Sequence, residues 1–161
     1  MANQRIWAPW RLRYVKDAKH TDDCVFCAKP DLGDDRDALI VHRGSSCFVI
    51  LNLYPYTSGH LMVAPFEHLG KLQDIDPETT AEMLVLAQGA MTRMEEVYEP
   101  EGFNVGINQG RVAGAGVEGH IHLHVVPRWA GDNNYMPVLA DTRVMPQSLE
   151  ESYDALRGGF S

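Results

Sequence analysis

Short apolar runs separated by turn residues make up much of this chain. Five such runs are rich in Val, Ile, Leu and Phe, at residues 38–43, 47–51, 60–64, 103–107 and 120–126. Gly44 and Ser45 separate the first two runs as a hairpin turn would, and a glycine-rich stretch at 108–119 lies between the last two. Runs of this length and spacing predict about five β-strands, most of them antiparallel.

Residues 76–98 have a helical period instead. Asp76 can cap a helix N-terminus, Pro77 fits the first helical position, and Glu78 complements the helix dipole. Apolar side chains recur every three or four positions, at Met83, Ala87, Ala90, Met91, Met94, Val97 and Tyr98. The segment therefore predicts one long helix with a core-facing stripe.

Ser148 and Glu151 have the spacing of a capping box, which predicts a last, short helix. Five strands and these helices predict an α+β fold with a mainly antiparallel sheet, one long helix and short terminal helices. We expect a single domain over residues 1–161, with an irregular segment at 1–37 and a C-terminal tail at 130–161.

The composition is that of an ordinary globular protein, with 45% hydrophobic and 22% charged residues among 161. No apolar run approaches the roughly 20 residues that a membrane span needs, and the first residues lack the apolar stretch of a signal peptide. Three cysteines are too few for a disulfide scaffold. We therefore expect a soluble, cytoplasmic protein that does not act at a membrane.

The charge balance narrows the class of ligand. Fourteen Lys and Arg against 22 Asp and Glu give a formal net charge of −8. A general nucleic-acid binder needs a basic surface, so we do not expect nucleic acid as a partner. A small anionic ligand stays compatible, because a local pocket of backbone N–H groups and histidines can hold phosphate on an acidic protein.

Three histidines alternate with aliphatic residues in the last apolar run, which reads HIHLHVV from His120 to Val126. On a strand, this period places the three imidazoles on one face, about 6.6 Å apart, with the aliphatic residues on the other. A solvated polar face would more naturally contain Thr, Lys and Glu, so the row predicts a functional site. Two interpretations stay open: ligands of a hydrolytic metal, or a nucleophile toward phosphorus with neighbours that shape its pocket.

The segment GHIHLHVVPRW resembles the signature of histidine-triad (HIT) proteins, in which three histidines alternate with apolar residues. The segment FVILNLYPYTSGHLMVAPFEH is similar to the upstream HIT pattern, and the likeness extends from about Cys24 to Trp129. The opening WAPWR and the ending from Pro127 onward resemble a bacterial HIT branch that is similar to diadenosine tetraphosphate phosphorylases and hydrolases. The resemblance implies a homodimeric α+β protein that binds nucleotides and cleaves or transfers nucleotidyl groups.

The resemblance also assigns roles to residues of the site. The middle histidine of the triad, His122, is implied as the nucleophile toward the α-phosphorus, with its other ring nitrogen held by a backbone carbonyl. His124 and His60 are implied as donors to phosphate oxygens or the leaving group. The nucleotide-binding residues implied or favoured by position are His60, His124, Asn52 for the ribose, and Asn108, Gly114 and Gly116 for phosphate. Asn52 also fits a turn residue ahead of Pro55.

Cys24 and Cys27 form a C-x-x-C motif. Alone, this motif fits a redox pair, a zinc knuckle or two unremarkable thiols. Related nucleotidyltransferases hold one zinc with such a pair and two histidines, and the matching positions here are His68 and His120. The resemblance implies a structural Cys₂His₂ zinc and no organic cofactor. Cys47, inside an apolar run, is expected to be a core residue.

One position departs from the family pattern. HIT hydrolases often carry Gln or Ser four residues before the triad, where this chain has Gly116. The space and backbone N–H groups left there favour inorganic phosphate as a possible acceptor, as in a phosphorylase. Other functions fit the same residues: a nucleotide-binding or interaction module with little turnover, a metallohydrolase, or a hydrolase of nucleoside phosphoramidates or other nucleotide conjugates.

Overall fold

The computed structural model of the protein describes residues 24–132 and 145–160. Its strands are β1 (Ile40–Arg43), β2 (Cys47–Leu51), β3 (Leu61–Pro65), β4 (Gly102–Ile107) and β5 (Leu123–Arg128). The helices in these ranges are α1 (Val25–Ala28), α2 (Asp35–Ala38), α3 (Pro77–Tyr98) and α4 (Leu149–Leu156). Single 3₁₀ turns lie at Pro30–Leu32, Leu72–Asp74 and Arg111–Ala113.

The five strands form one sheet in the order β1-β2-β3-β5-β4, and every neighbouring pair is antiparallel. Strand β5 therefore lies between β3 and β4. Its His124 is opposite Met62 on β3 and opposite Gly106 on β4. The predicted α+β fold with an antiparallel sheet is confirmed.

Helix α3 covers one face of the sheet. As predicted, the Asp76 carboxylate caps it by accepting the N–H groups of Glu78 and Thr79. The buried residues of the helix are Met83, Leu86, Ala87, Ala90 and Met94. They share one core cluster with inward residues of the strands such as Val63 and Val125. Each fully buried Val or Met side chain contributes roughly 1.5–3 kcal/mol, so this face supplies most of the apolar core.

The opposite face of the sheet has a smaller apolar cluster, made of Phe26, Ala38, Ile40, Phe48, Ile50, Met62 and Ala64. Helices α1 and α2 supply its first two members, so the short N-terminal helices cover part of this face. Because strand residues alternate, His124 lies on this face, while Leu123 and Val125 belong to the core under α3. The predicted separation of histidines from aliphatic residues is therefore observed.

The last strand begins at Leu123 rather than at the predicted His120. Its partner β3 ends at Pro65, which has no N–H group to continue the ladder. The Ile121 N–H group instead donates to the Leu69 carbonyl at 2.6 Å. Two of the three triad histidines therefore precede the strand, although their alternation with aliphatic residues persists.

The described part of the segment predicted to be irregular contains three helical turns. Asp34 caps α2 by accepting the N–H groups of Arg36 and Asp37, a local signal that the sequence analysis missed. Leu39 then adopts a left-handed φ of 64°, which ends α2 and delays β1 to Ile40 instead of residue 38. The single-domain organisation over residues 1–161 stays a prediction.

The predicted capping box is present at the start of α4. The Ser148 hydroxyl accepts the Glu151 N–H group, and the Glu151 carboxylate accepts the Ser148 N–H group. In the two ranges that the structure describes, none of the helices combines the length and apolar character that crossing a bilayer requires.

Candidate active site

His122 is the innermost histidine of the site. Its side chain is 3% exposed, and its Nδ1–H group donates to the His120 carbonyl at 2.8 Å. Burial lowers the pKa of His122, and the hydrogen bond to the carbonyl opposes this only in part. The ring is therefore neutral near pH 7, with its proton on Nδ1 and its lone pair on Nε2. This is the tautomer that a nucleophilic imidazole needs.

Two aromatic rings fix the surroundings of the His122 imidazole. Phe26 stacks on it with ring centroids 4.7 Å apart and an interplanar angle of 29°. His124 meets it edge-on, at 4.9 Å and 71°. Phe26 is a residue of the site that the histidine and cysteine motifs did not predict. Its position between Cys24 and Cys27 was the signal that could have done so.

His60 and His124 form a hydrogen-bonded pair beside His122. The Tyr56 N–H group donates to His60 Nδ1 at 3.1 Å, so the neutral His60 ring carries its proton on Nε2. His60 Nε2 lies 3.0 Å from His124 Nδ1 and donates to it. His124 Nδ1 is then an acceptor, which leaves the proton of the neutral ring on Nε2. The pair thus presents one N–H donor, on His124, whereas the His60 Nε2–H group is directed at His124. The implied role of both histidines as donors to phosphate stays a prediction.

An open cavity of about 400 Å³ lies over β4 and β5 next to this pair. The lining residues used below are Thr57, Asn104, Gly106, Asn108, His124 and Arg128. Gly106 is directly opposite His124, and no described atom lies within 4 Å of a Cβ built on it. Strand β4 therefore has no side chain beside His124, which leaves room for a ligand.

The predicted phosphate-binding residues divide into two groups. Asn108 lines the cavity, whereas Gly114 and Gly116 are not among the described residues that line it. Gly114 has a φ of 90° and ends the 3₁₀ turn at Arg111–Ala113, so there it has a conformational role. The structure brings only Asn108 of this set to the cavity wall.

Asn52 is held in a turn and against His60. Its Oδ1 accepts the Tyr54 N–H group at 2.9 Å, and its Nδ2 lies 3.4 Å from His60 Nδ1. The turn role weighed in the sequence analysis is therefore present. In addition, the side-chain amide supplies a second N–H group to His60 Nδ1, which reinforces the tautomer of that ring. Binding of a ribose by Asn52 stays a prediction.

Arg128 is a cavity residue whose charge is already paired. Its guanidinium donates to both carboxylate oxygens of Asp132 and to Asn104 Oδ1. The neighbouring Trp129 packs edge-on against Tyr98 and donates its indole N–H to the Tyr98 carbonyl. Arg128 and Asn104 form a fixed polar wall, and Trp129 has a packing role.

Four predicted metal ligands converge around His120, the first residue of the histidine row. One ligand atom from each of Cys24, Cys27, His68 and His120 lies within 4.8 Å of the others. Both sulfur atoms lie close to His120 Nδ1, at 3.3 Å from Cys24 and 3.5 Å from Cys27, and Cys27 Sγ is 3.3 Å from His68 Nδ1. The structure thus unites residues that are far apart in sequence, as predicted.

The chemistry of this donor set fits a tetrahedral zinc ion. Zn–S bonds of about 2.3 Å and Zn–N bonds of about 2.0–2.1 Å place ligand atoms roughly 3.5–3.8 Å apart, close to the S–N separations seen here. The His120 Nε2–H group donates to the Pro65 carbonyl at 2.8 Å, so its Nδ1 presents a lone pair to the thiols. A backbone carbonyl on the distal nitrogen is the usual partner of a ligating histidine. The cluster can therefore bind a metal.

Similarity to known proteins agrees with this geometry. The HIT domain family matches residues 34–131, more than half of the chain. The matched range contains His60, His68 and the whole histidine row. The chain belongs to the HIT domain family.

Individual HIT proteins are similar over most of the chain. AP-4-A phosphorylase of Mycobacterium tuberculosis is 38% identical over 157 residues, which cover 92% of this chain and 80% of the relative. Adenosine 5′-monophosphoramidase of Schizosaccharomyces pombe is 31% identical over 105 residues, or 65% of this chain and 74% of the relative. A zinc-bound histidine triad family protein from Mycobacterium smegmatis has a TM-score of 0.68 and 35% identity, covering 86% of this chain and 93% of that one. The predictions of a HIT-like fold and of a HIT-family enzyme are confirmed.

Proposed function

We propose that this protein cleaves dinucleoside polyphosphates such as diadenosine tetraphosphate at an α-phosphate, through a nucleotidyl intermediate on His122. The observation that carries the proposal is the His122 tautomer, with Nδ1–H bound to the His120 carbonyl and the lone pair on Nε2. The 38% identical mycobacterial relative, named an AP-4-A phosphorylase, supports the substrate class.

The proposed first step is attack by His122 Nε2 on the α-phosphorus. A P–N bond forms, the P–O bond to the remaining polyphosphate breaks, and the electron pair leaves with that oxygen. His124 Nε2–H donates to the oxygens where negative charge develops, because His60 fixes the donor tautomer of His124. In the second step an acceptor attacks the same phosphorus, the P–N bond breaks, and neutral His122 is restored.

The proposed substrate site is the cavity over β4 and β5. Asn104 and Asn108 supply polar groups, His124 is one of the lining residues, and Gly106 leaves the space beside His124 open. Asn52 is proposed to contact the ribose, and Gly116 to offer its backbone N–H group to phosphate when substrate is bound. The Gly114 N–H group, predicted to do the same, donates to the Arg111 carbonyl instead.

Gly106→Val tests this location. A valine at this position favours the strand and fills the space over His124, so we expect KM to rise at least about tenfold with no loss of thermal stability. Gly102→Val is the matched control, because an added Cβ there also meets no described atom within 4 Å and Gly102 is not a described cavity residue. Equal KM values in the two variants would place the substrate elsewhere.

Zinc is the proposed metal of the cluster Cys24, Cys27, His68 and His120. Four protein ligands complete a tetrahedral set, so the ion would stabilise the fold and would have no position for substrate. The zinc-bound mycobacterial neighbour supports this choice. Activity that survives complete metal removal from folded protein would separate this proposal from a metallohydrolase.

Inorganic phosphate is the proposed acceptor. Phosphate attack on the adenylyl intermediate gives ADP, so diadenosine tetraphosphate plus phosphate would give ADP and ATP. Gly116 supports this acceptor, because a small residue replaces the side chain that hydrolases often carry there. Arg128 contributes little attraction for phosphate, since Asp132 already offsets its charge.

Product analysis with radiolabelled phosphate tests the acceptor. We expect the label in ADP and faster turnover with phosphate than in its absence. If the label stays in free phosphate and AMP is the main product, the enzyme is a hydrolase, and only the acceptor assignment fails. If nucleotides bind tightly but no substrate in a broad panel turns over, the protein is a binding module.

A second candidate activity is hydrolysis of nucleoside phosphoramidates. The 31% identical relative from Schizosaccharomyces pombe is named an adenosine 5′-monophosphoramidase. The same attack by His122 applies, with an amine as the leaving group. Comparing kcat/KM for adenosine phosphoramidate and diadenosine tetraphosphate decides between the two. A homodimer and a cytoplasmic location remain part of the proposal, and sedimentation of the purified full chain tests the former.

A further inference from the structure

Phe26 connects the metal-ligand cluster to the proposed nucleophile. It lies in the single turn of α1, between Cys24 and Cys27, and its side chain is 2% exposed. One face of its ring stacks on His122 at 4.7 Å, and its centroid is 5.3 Å from that of His120. The ring thus touches one member of each site.

The hydrogen bond of His122 does not by itself fix the imidazole plane. A single Nδ1–H···O=C contact, at 2.8 Å, restrains one distance, and coupled rotation about the Cα–Cβ and Cβ–Cγ bonds can still tilt the ring while keeping that contact. His124 meets the ring only edge-on. A flat aromatic surface at 29° to the imidazole restricts this rotation, and therefore the direction of the Nε2 lone pair.

The position of Phe26 depends in turn on the two cysteines. A four-residue helix has no stability of its own, because nucleation costs more than one turn of hydrogen bonds returns. The Cys24 carbonyl accepts the N–H groups of Cys27 and Ala28, at 3.0 and 2.9 Å, which closes the loop around Phe26. Both thiols lie within 3.5 Å of a ring nitrogen of the cluster, so ligation at Cys24 and Cys27 would clamp both ends of this loop.

We propose that Phe26 is a positioning residue for the His122 imidazole, held in place by the metal-binding loop that contains it. The inference rests on the proposed role of His122. It makes the metal-ligand cluster a determinant of the rate of His122 attack, although the cluster contributes no group that touches substrate.

Phe26→Leu is the primary test, with Phe48→Leu as its matched control. Phe48 belongs to the same apolar cluster and is fully buried, but the aromatic ring next to it is that of Phe66 rather than a histidine. Both variants lose a similar buried volume. We expect only Phe26→Leu to lower kcat, by roughly 10- to 100-fold with KM changed less than about twofold, because a misplaced reacting group costs on this scale. Equal kcat losses in the two variants would overturn the proposal.

A measurement independent of turnover is the ¹⁵N NMR spectrum of the His122 ring in the zinc-loaded protein without nucleotide. We expect sharp signals of one Nδ1–H tautomer in the wild type and in Phe48→Leu, and exchange-broadened signals in Phe26→Leu, because the ring there no longer has a fixed plane. If Phe26→Leu does not fold, chelation of the folded wild type provides the same comparison. An unchanged His122 spectrum in Phe26→Leu or, failing that variant, in the chelated wild type would overturn the proposal.

Chelation also tests the link through the loop. In the wild type, metal removal should lower kcat by about the factor seen for Phe26→Leu, whereas in Phe26→Leu it should have little further effect. Independent, multiplicative losses would overturn the coupling. Failure of the proposed function is distinguishable, because His122→Asn would then retain activity; an essential His122 with no Phe26 effect would refute only this inference.

Discussion

His120 and His122 are two residues apart, and both rings are buried, yet opposite ring nitrogens are bound to the backbone. In His120, Nε2 donates to the Pro65 carbonyl, so Nδ1 faces the thiols of Cys24 and Cys27. In His122, Nδ1 donates to the His120 carbonyl, so the lone pair is on Nε2. The carbonyl within reach thus selects the tautomer, and the tautomer separates a metal-ligand geometry from a nucleophile geometry.

The largest effect should come from His122→Asn. The amide keeps polar character but cannot form the P–N bond, so we expect turnover to fall on the order of 10⁴-fold or more while nucleotide binding survives. Steady-state kinetics and calorimetric titration with a nucleotide measure the two quantities. His120→Asn is the contrasting variant and should lose metal and stability while keeping measurable turnover. Near-normal rates in His122→Asn would show that no covalent intermediate forms on this residue.

The next largest effect on kcat should come from changes to the hydrogen-bonded pair of His60 and His124. His124→Asn removes the Nε2–H donor, and His60→Asn removes the group that fixes the His124 tautomer. We expect each to lower kcat by about 10²-fold, less than His122→Asn, because the nucleophile remains. Because His60 acts through its hydrogen bond to His124, the double variant should be little worse than either single variant. A fully multiplicative loss would show that His60 acts on its own.

A smaller effect on rate should follow loss of the cysteine ligands. Changing both Cys24 and Cys27 to Ser should remove about one zinc per chain and lower the melting temperature by roughly 10 °C, or about 3 kcal/mol. We expect kcat to fall by roughly tenfold, the lower end of the range expected for Phe26→Leu, because loss of the metal releases the loop that holds Phe26. Metal analysis and thermal unfolding check this, with Cys47→Ala as the variant that should retain metal. Metal-free wild type, purified without chelators, would contradict it.

The smallest effect concerns how readily the three thiols react with a reagent. This property should have no influence on the turnover rate of the zinc-loaded enzyme. Burial raises the pKa of Cys47 to about 12, with nearby Glu82 adding to the shift, so its thiolate is scarce at neutral pH. Cys24 and Cys27 are only partly buried. Titration with a thiol reagent should therefore find two thiols that react on chelation and a third that reacts only on unfolding. Modification of Cys47 in the folded protein would contradict this assignment.

Local pattern was sufficient for the repetitive parts of the fold, whereas the candidate metal ligands His68 and His120 were implied only by the family resemblance. Short apolar runs marked the strands, the Asp76 cap and apolar stripe marked α3, and Ser148 with Glu151 marked α4. These features depend on neighbours within a few residues, which the sequence displays directly. The histidine row was equally visible, because three imidazoles at alternate positions have few structural explanations.

Only the tertiary structure decided the surroundings of each histidine in the row. The Pro65 carbonyl that orients His120 and the Phe26 ring that stacks on His122 come from distant elements, as does the space that Gly106 leaves over His124. Proline also ended the β3 ladder and so moved the start of β5. The sequence by itself determined which residue types were available; tautomer, ring plane and open space depend on contacts between elements that only sheet pairing brings together.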